Sequence, residues 1–525
     1  MKKLLIYLLL LAILVLSACQ GSRPFEEFGT FGTMPWNGDS TAEGTPADGE
    51  GCGAHTDADA DDTCDTCGVS VVVVVDFYAM NDLHGKFDDT DSQPGVDELT
   101  AYLKNANTTD DHTVFLSSGD MWQGSSESNM TRGMIITDWM NAMGFVSMTL
   151  GNHEFDWGED AVAENADAAE FSVLAINVYD RETRERVEYA EPSVMIERGN
   201  VKIGVIGAVG DCYSSIAPDK VEDVYFKVGS ELTTLVKEES TRLREAGADF
   251  IVYSLHDGYG DSRSAVSSIS DRELSSYYDV ALSEGYVDLV FEGHSHQRYT
   301  VYDSHGVYHL QNGGENKGIS HAEIAINYVN DTSTVSVAEF VPAHTYTSLD
   351  GDPLVDSLLD KYADVIAEAN RVVGTNDRYL SSDALCDLVA ELYYDTGLTR
   401  WGEQYDIALG GGFLQARSPY HLPAGEVRYS DLQMIFPFDN QLVLCSIEGR
   451  YLSSRFFETG NSSYHIAYGD YGASIRSHID PYATYYVVVD SYTSSYAPNR
   501  LTVVDTYDPG VYARDLLADY YDRRS

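Results

Sequence analysis

Between residues 71 and 291 the chain repeats one arrangement: a short apolar run of strand length, then a cluster of Asp, Asn, His and Gly. Apolar runs stand at 71–75, 113–116, 147–150, 173–176, 201–206, 250–255 and 287–291. Helical patterns alternate with them, as at 96–104 and 232–246. Strands that alternate with helices, and that are apolar on both faces, predict a layered α/β architecture. Shorter apolar pieces at 300–302, 307–310 and 322–326 read as hairpin strands.

Polar clusters close five of these runs. They are Asn81-Asp82-Leu83-His84-Gly85, Ser118-Gly119-Asp120, Gly151-Asn152-His153-Glu154-Phe155-Asp156, His256, and Gly293-His294-Ser295-His296. In an open α/β sheet the carboxyl ends of the strands form a rim where sites assemble. A single His after a strand is more often a surface or capping residue. Five clusters of oxygen and nitrogen donors at successive strand exits point instead to one metal-binding place. Gly85, Gly119, Gly151 and Gly293 fit the tight turns that such a rim requires.

Charge narrows the chemistry. The 525 residues include 33 Lys and Arg against 84 Asp and Glu, for a net charge of −51. Without a basic cluster, binding to a nucleic-acid backbone is excluded. An anionic small substrate would need a strong local positive charge, which metal ions supply.

The ordered clusters resemble the metallophosphoesterase family, and within it the bacterial and animal 5'-nucleotidases, where such a domain precedes a nucleotide-binding domain. The resemblance implies a four-layer α/β/β/α catalytic domain over 71–345, a linker helix over 346–372 and an α+β C-terminal domain over 373–525. It implies two divalent metal ions (Zn, Mn or Fe). Asp82, His84 and His296 would hold one, Asn152, His256 and His294 the other, and Asp120 would bridge them. Two such ions with two carboxylates leave the centre positive, and they activate water for in-line attack on phosphorus. His153 and Asp156 match the family's catalytic dyad, with Asp156 orienting the imidazole.

The C-terminal part bears on the substrate. Periodic apolar residues over 354–372 read as one helix between the two blocks, 383–394 as another helix, and 485–490 as a strand. Pro437-Phe438-Asp439-Asn440 matches the family's Pro-Phe-Gly-Asn stretch, so Phe438, with Tyr492, is implied to stack on a base. Two departures stand out. The family's Asn-Gly-Gly-Gly-Ile-Arg is here Leu409-Gly410-Gly411-Gly412-Phe413-Leu414, which leaves Arg417 and Arg378 as the candidate phosphate-facing cations. Its Gly-Gly-Asp-Gly loop is replaced by Tyr496-Ala497-Pro498-Asn499.

Lys2 and Lys3, an uncharged apolar run at 4–16 and Ser17-Ala18-Cys19 make a secretory leader that resembles the lipobox of bacterial lipoproteins. Residues 1–19 are then a signal peptide. Cys19 is implied to carry the lipid, anchoring an extracytoplasmic protein to the cell membrane. Residues 20–70 read as a flexible tether holding a small motif, Cys52, His55, Cys64 and Cys67. Its spacing suits either a structural zinc or a disulfide. Asp57, Asp59, Asp61 and Asp62 lack the glycine and terminal glutamate of an EF-hand.

The expectation is a monomeric, surface-anchored hydrolase of nucleotide phosphate esters that binds no nucleic acid. The alternatives are a cyclic-nucleotide phosphodiesterase, a nucleotide-sugar pyrophosphatase or another phosphoesterase such as a protein phosphatase. From a different class comes a non-catalytic surface-binding lipoprotein, against which the full set of ligands and the dyad argue.

Overall fold

A computed structural model of the chain describes residues 55–525 apart from 88–94, 107–111, 271–272, 274–279, 418, 459, 497–499, 509 and 525. The expected leader, Cys19, most of the tether and Cys52 lie outside the described residues, as do 497–499 of the replaced C-terminal loop. The described residues belong to one compact unit, Cys52–Ser525. Among them no helix is long and apolar enough to cross a membrane.

The N-terminal half is built on strands β1 (Val72–Met80), β2 (Thr113–Ser117), β3 (Ser147–Thr149), β4 (Ser172–Leu174), β5 (Ser193–Arg198), β6 (Val201–Val209) and β7 (Phe250–His256). They are followed by β8 (Ser267–Ser268), β9 (Leu289–Glu292), β10 (Arg298–Tyr302), β11 (Tyr308–Asn312), β12 (Gly318–Asn327) and β13 (Thr332–Pro342). These make two sheets, a six-stranded one in the order β13-β12-β1-β2-β3-β4 and a seven-stranded one in the order β8-β10-β11-β9-β7-β6-β5. The central pairs β1–β2–β3–β4 and β6–β7–β9–β11 are parallel.

The period of two along each strand creates the layers. On β1, Val73, Val75, Phe77 and Ala79 face a core shared with Val201, Ile203 and Val205 of β6, Phe250 and Val252 of β7, and Phe291 of β9. That core is the seam between the sheets. Tyr78 and Met80 turn the other way, toward helices α1 (Asp97–Ala106), α2 (Met134–Met143) and α3 (Glu159–Ala168). On the far side Ile206, Ala208, Ile251, Tyr253 and Leu255 pack on Val236 and Leu243 of α4 (Ser230–Glu245). The result is helix, sheet, sheet, helix.

The single helix expected over 354–372 is instead a pair, α5 (Pro353–Lys361) and α6 (Ala363–Ala369), and Val372 opens a strand. The break falls at Tyr362. Lys361 and Tyr362 both bond Asp138 of α2, and Val355 and Leu358 join the helix-side core of the first domain. Through these contacts α5 packs into the first domain's helical layer.

The C-terminal half holds a five-stranded mixed sheet, with Ile407–Phe413 and Thr484–Asp490 as a parallel pair at its centre. Helices α7 (Ser382–Trp401) and α8 (Ala513–Asp522) cover one face, and Leu452, Phe456 and Ile475 from shorter helices cover the other.

Candidate metal centre and substrate cleft

The strand exits of both sheets converge. Asp82 and His84 leave β1, Asp120 leaves β2, and Asn152 follows β3, all from the six-stranded sheet. His256 ends β7, and His294 and His296 follow β9, all from the seven-stranded sheet. The centre therefore straddles the seam. Five of these residues adopt positive φ: Asp82 at 50°, His84 at 52°, Asp120 at 54°, His294 at 64° and His296 at 52°. Each such backbone costs about 1–3 kcal/mol and persists only where the surroundings hold it, which is a mark of functional sites.

Donor atoms meet at metal-ligand spacing. His84 Nε2 lies 3.0 Å from His296 Nε2. Asp82 Oδ1 lies 3.1 Å from His296 Nε2 and 3.9 Å from His84 Nε2. A point equidistant from three corners so spaced is about 2.0 Å from each, the bond length that Zn2+ makes to nitrogen and oxygen. His84 Nδ1 bonds Gln123 O at 2.9 Å, which fixes the ring and leaves Nε2 for the cluster. His256 is held the same way, with Nδ1 2.6 Å from Ser118 O, and its Nε2 stands 3.0 Å from Asp120 Oδ2. Asn152 Oδ1 is buried and has no hydrogen-bond partner among the described residues. A buried amide oxygen without a donor is costly unless a cation meets it. The residues present thus fit divalent metal ions.

Electrostatics agree. Burial alone would raise the Asp82 carboxyl, yet His296 and His256 hold it well below the usual carboxylate range. Burial is also opposed at His256, where Asp120 pushes the imidazole up to about 10. The side chains by themselves place protons beside the two carboxylates, where cations would otherwise stand. Burial, together with His296 and His256 respectively, lowers His84 and His294 to about 4, so both are neutral at pH 7, the form that can bind a cation.

A side chain that the sequence reading left without a role organises this rim. Glu154 is fully buried. Its Oε2 accepts the N–H of Asp120 at 2.9 Å and of Gly151 at 2.7 Å, and its Oε1 accepts Met121 at 2.8 Å and Trp122 at 3.3 Å. Burial pushes the carboxyl up to about 7. A proton on either oxygen would meet an N–H already aimed there, so the carboxylate is the form that fits. The clue available in the sequence was an acid set between ligands and an apolar residue, where only a committed partner set tolerates burial. Gly151 serves by size alone, because a Cβ there would overlap Asp120 Oδ1. A second supporting network holds the His294 loop: Gln311 donates to Gly293 O at 2.8 Å and accepts from Gln297 N at 2.8 Å and Ser295 Oγ at 3.0 Å.

His153 and Asp156 come together as expected. They flank a 3₁₀ turn, in which positions i and i+3 share a side. His153 Nδ1 is 2.7 Å from Asp156 Oδ2, and its backbone N–H donates to Asp120 Oδ1 at 2.8 Å. Burial disfavours the imidazolium, but Asp156 and Asp120 outweigh it and bring His153 up to about 9.

Beside the dyad opens a cleft lined by His153, Asp156, Arg417, Phe438 and Tyr492 among others. The Phe438 ring lies nearly parallel to His153 at 6.3 Å, and the Arg417 guanidinium sits 5.0 Å from its centroid. Arg378 is exposed and is not among the residues lining the cleft; it stands near Tyr521. Phe413, at a departure from the family stretch, stacks on Tyr492 at 5.9 Å. Buried Arg514 bonds Asp439 and donates to Phe438 O at 3.1 Å, fixing the loop that carries the ring.

Residues 75–298 match the family of calcineurin-like phosphoesterases. With the Asp, His and Asn cluster at its strand exits, this domain makes the protein a metal-dependent phosphoester hydrolase. An apyrase of Tabanus yao is 24% identical over 420 residues, covering 72% of each chain. A 5'-nucleotidase of Vibrio vulnificus is 28% identical over 205 residues, 38% of this chain and 35% of that one. The fold matches the crystal structure of a 5'-nucleotidase precursor from Thermus thermophilus, with a TM-score of 0.59 at 19% identity, over 86% of this chain and 97% of that one.

Proposed function

We propose that the chain hydrolyses phosphate esters of extracellular nucleotides at a centre binding two divalent ions of the Zn, Mn or Fe kind. The observation that supports this reading is the continuity of the metal cluster with the cleft: His153 touches both, with its ring 5.2 Å from His84 and 6.3 Å from Phe438. Such ions would supply positive charge for the phosphoryl oxygens and acidify a water for attack at neutral pH. Asp82, His84 and His296 would hold one ion and Asn152, His256 and His294 the other, with Asp120 available to both. His153, its Nδ1 tied to Asp156, presents Nε2 to a phosphoryl or leaving oxygen as a donor. Phe438 and Tyr492 grip the base from the cleft wall, and Arg417 faces the phosphate.

The leader ending in Cys19 supports placement outside the cytoplasm on a lipid anchor, with the protein acting as a monomer. A second reading keeps the metal centre and changes the substrate to diesters or pyrophosphates. It is favoured by Leu409 and Leu414 standing where the related stretch has Asn and Arg. Phosphate and product release from nucleoside monophosphates, diphosphates, cyclic nucleotides and nucleotide-sugars separates the two, using protein without residues 1–19 with Mn2+, Zn2+ or chelator. Chelator-sensitive release from monophosphates is expected. Turnover confined to diesters or pyrophosphates replaces the first reading with the second, and no turnover with any metal overturns both.

A further inference from the structure

Away from the catalytic rim, His55, Cys64 and Cys67 bring their donor atoms within 4.8 Å of one another. No disulfide joins Cys64 to Cys67, and Cys64 is buried. The backbone explains the meeting. Thr63 bridges Ser70, Cys64 N–H donates to Val69 O at 2.8 Å, and Gly68 N–H donates back to Cys64 O at 2.8 Å. These bonds close a tight hairpin with Cys64-Asp-Thr-Cys67 at its tip. Gly68 follows with φ of +70°, which lets the chain turn under both sulfurs. Asp65 N–H donates to Thr56 O at 2.8 Å, which draws the segment carrying His55 alongside.

We infer that this knot is a structural zinc site, separate from the candidate catalytic metals, that clamps residues 55–70 onto the catalytic domain. His55 Nδ1 lies 3.5 Å from Cys67 Sγ. A tetrahedron with Zn–S of about 2.3 Å and Zn–N of about 2.0–2.1 Å has a sulfur–nitrogen edge of about 3.6 Å. Two thiolates and a neutral imidazole also balance the charge of a divalent ion. The described residues supply three donors of a closed four-coordinate site.

In the neighbouring acidic run, Asp57 is committed to protein partners rather than to the knot. Asp57 Oδ2 accepts Asn327 at 2.7 Å and Asn330 at 2.9 Å, and Asp57 Oδ1 accepts the N–H of Asp61 at 3.0 Å. These same bonds moor the knot to the turn after β12. Tyr328 adds an edge contact on the His55 ring at 6.2 Å, and Val71 N–H donates to Asp62 O at 3.0 Å just before β1. Sulfur and imidazole donors select zinc over calcium.

The test uses the full chain in detergent, loaded with Co2+ in place of zinc. A thiolate-to-cobalt charge-transfer band is expected in the near ultraviolet. It is retained in Cys212→Ser, whose sulfur lies near the catalytic histidines, and lost in the Cys64→Ser/Cys67→Ser double variant. In native mass spectrometry the wild type should carry one more zinc than the double variant. The double variant should keep its hydrolysis of a chromogenic phosphodiester while its 55–70 segment is cut faster by protease. A wild-type chain without the charge-transfer band overturns the assignment, as does a Cys64–Cys67 disulfide in protein purified without reductant. Because the readouts are sulfur-specific and independent of nucleotide turnover, failure of the proposed substrate would leave them unchanged.

Discussion

Replacing Glu154 with Gln removes a charge and one acceptor while keeping the shape. The carboxylate accepts four backbone N–H groups, two on each oxygen, from Asp120, Gly151, Met121 and Trp122. An amide offers one oxygen. Its NH2 faces the other two donors, which are buried and lose their acceptor. Each such stranded donor costs about 1–3 kcal/mol, so Glu154→Gln is expected to destabilise the domain by about 2–6 kcal/mol. At about 2 °C per kcal/mol for a domain of this size, Tm should fall by about 4–12 °C. Function should suffer more than stability, because the displaced groups are the backbone of Asp120 and the turn that carries Asn152. A misplacement of about 1 Å at a catalytic constellation can cost about a hundredfold in rate. Calorimetry with saturating Mn2+, together with kcat on a nucleoside monophosphate and on a chromogenic diester, measures both. A Gln variant with wild-type Tm and wild-type kcat would refute the claim that this carboxylate organises the rim.

Removal of the Asp120 carboxylate in Asp120→Ala should abolish turnover on every substrate; near-wild-type activity would sink its bridging role. Gly151→Ala places a Cβ on Asp120 Oδ1, so metal content per chain should drop and activity with it. Phe438→Ala forfeits base stacking of about 1–3 kcal/mol, which predicts a KM raised by roughly 5- to 150-fold with a smaller change in kcat; a purely catalytic defect would count against stacking. His309, buried beside Glu292 at 3.0 Å and Asp303 at 3.6 Å, is raised to about 9, since its carboxylate partners overcome burial. A histidine protonated more readily in the folded state contributes its stability in full below its unfolded pKa of about 6.5 and loses it as pH rises through about 9. The Tm gap between wild type and His309→Gln should therefore narrow from pH 6 to pH 10; a gap independent of pH would exclude a charged His309.

Much of the site was legible because ligand chemistry is written in side-chain type. Asp, His and Asn after apolar runs cannot be mistaken for core, and the runs themselves announce strands. Glu154, Gln311 and Arg514 were not legible. Their partners are backbone groups brought near by folding, and no spacing in the chain marks which N–H or carbonyl will be left without a partner. The helix expected over 354–372 divides at Tyr362, which bonds Asp138 from more than 200 residues away, a contact that local periodicity does not record. Arg378 carries the right charge and lies outside the cleft, because charge is local information and position is not.

What the sequence determined by itself was the alternation of strands and helices, the identity of the seven candidate metal ligands and the dyad, and the acidic balance that makes cations necessary. Residue type and short-range periodicity carry those features, and neither depends on the path of the chain. Only the tertiary structure decided that the ligands divide between two sheets and meet across their seam, and that five of them are held at positive φ. It also brought Phe413 and Tyr492 together on one wall of the cleft. These depend on strand order and on the twist of one sheet against another, which are set by the packing of the shared core and by contacts between residues far apart in sequence.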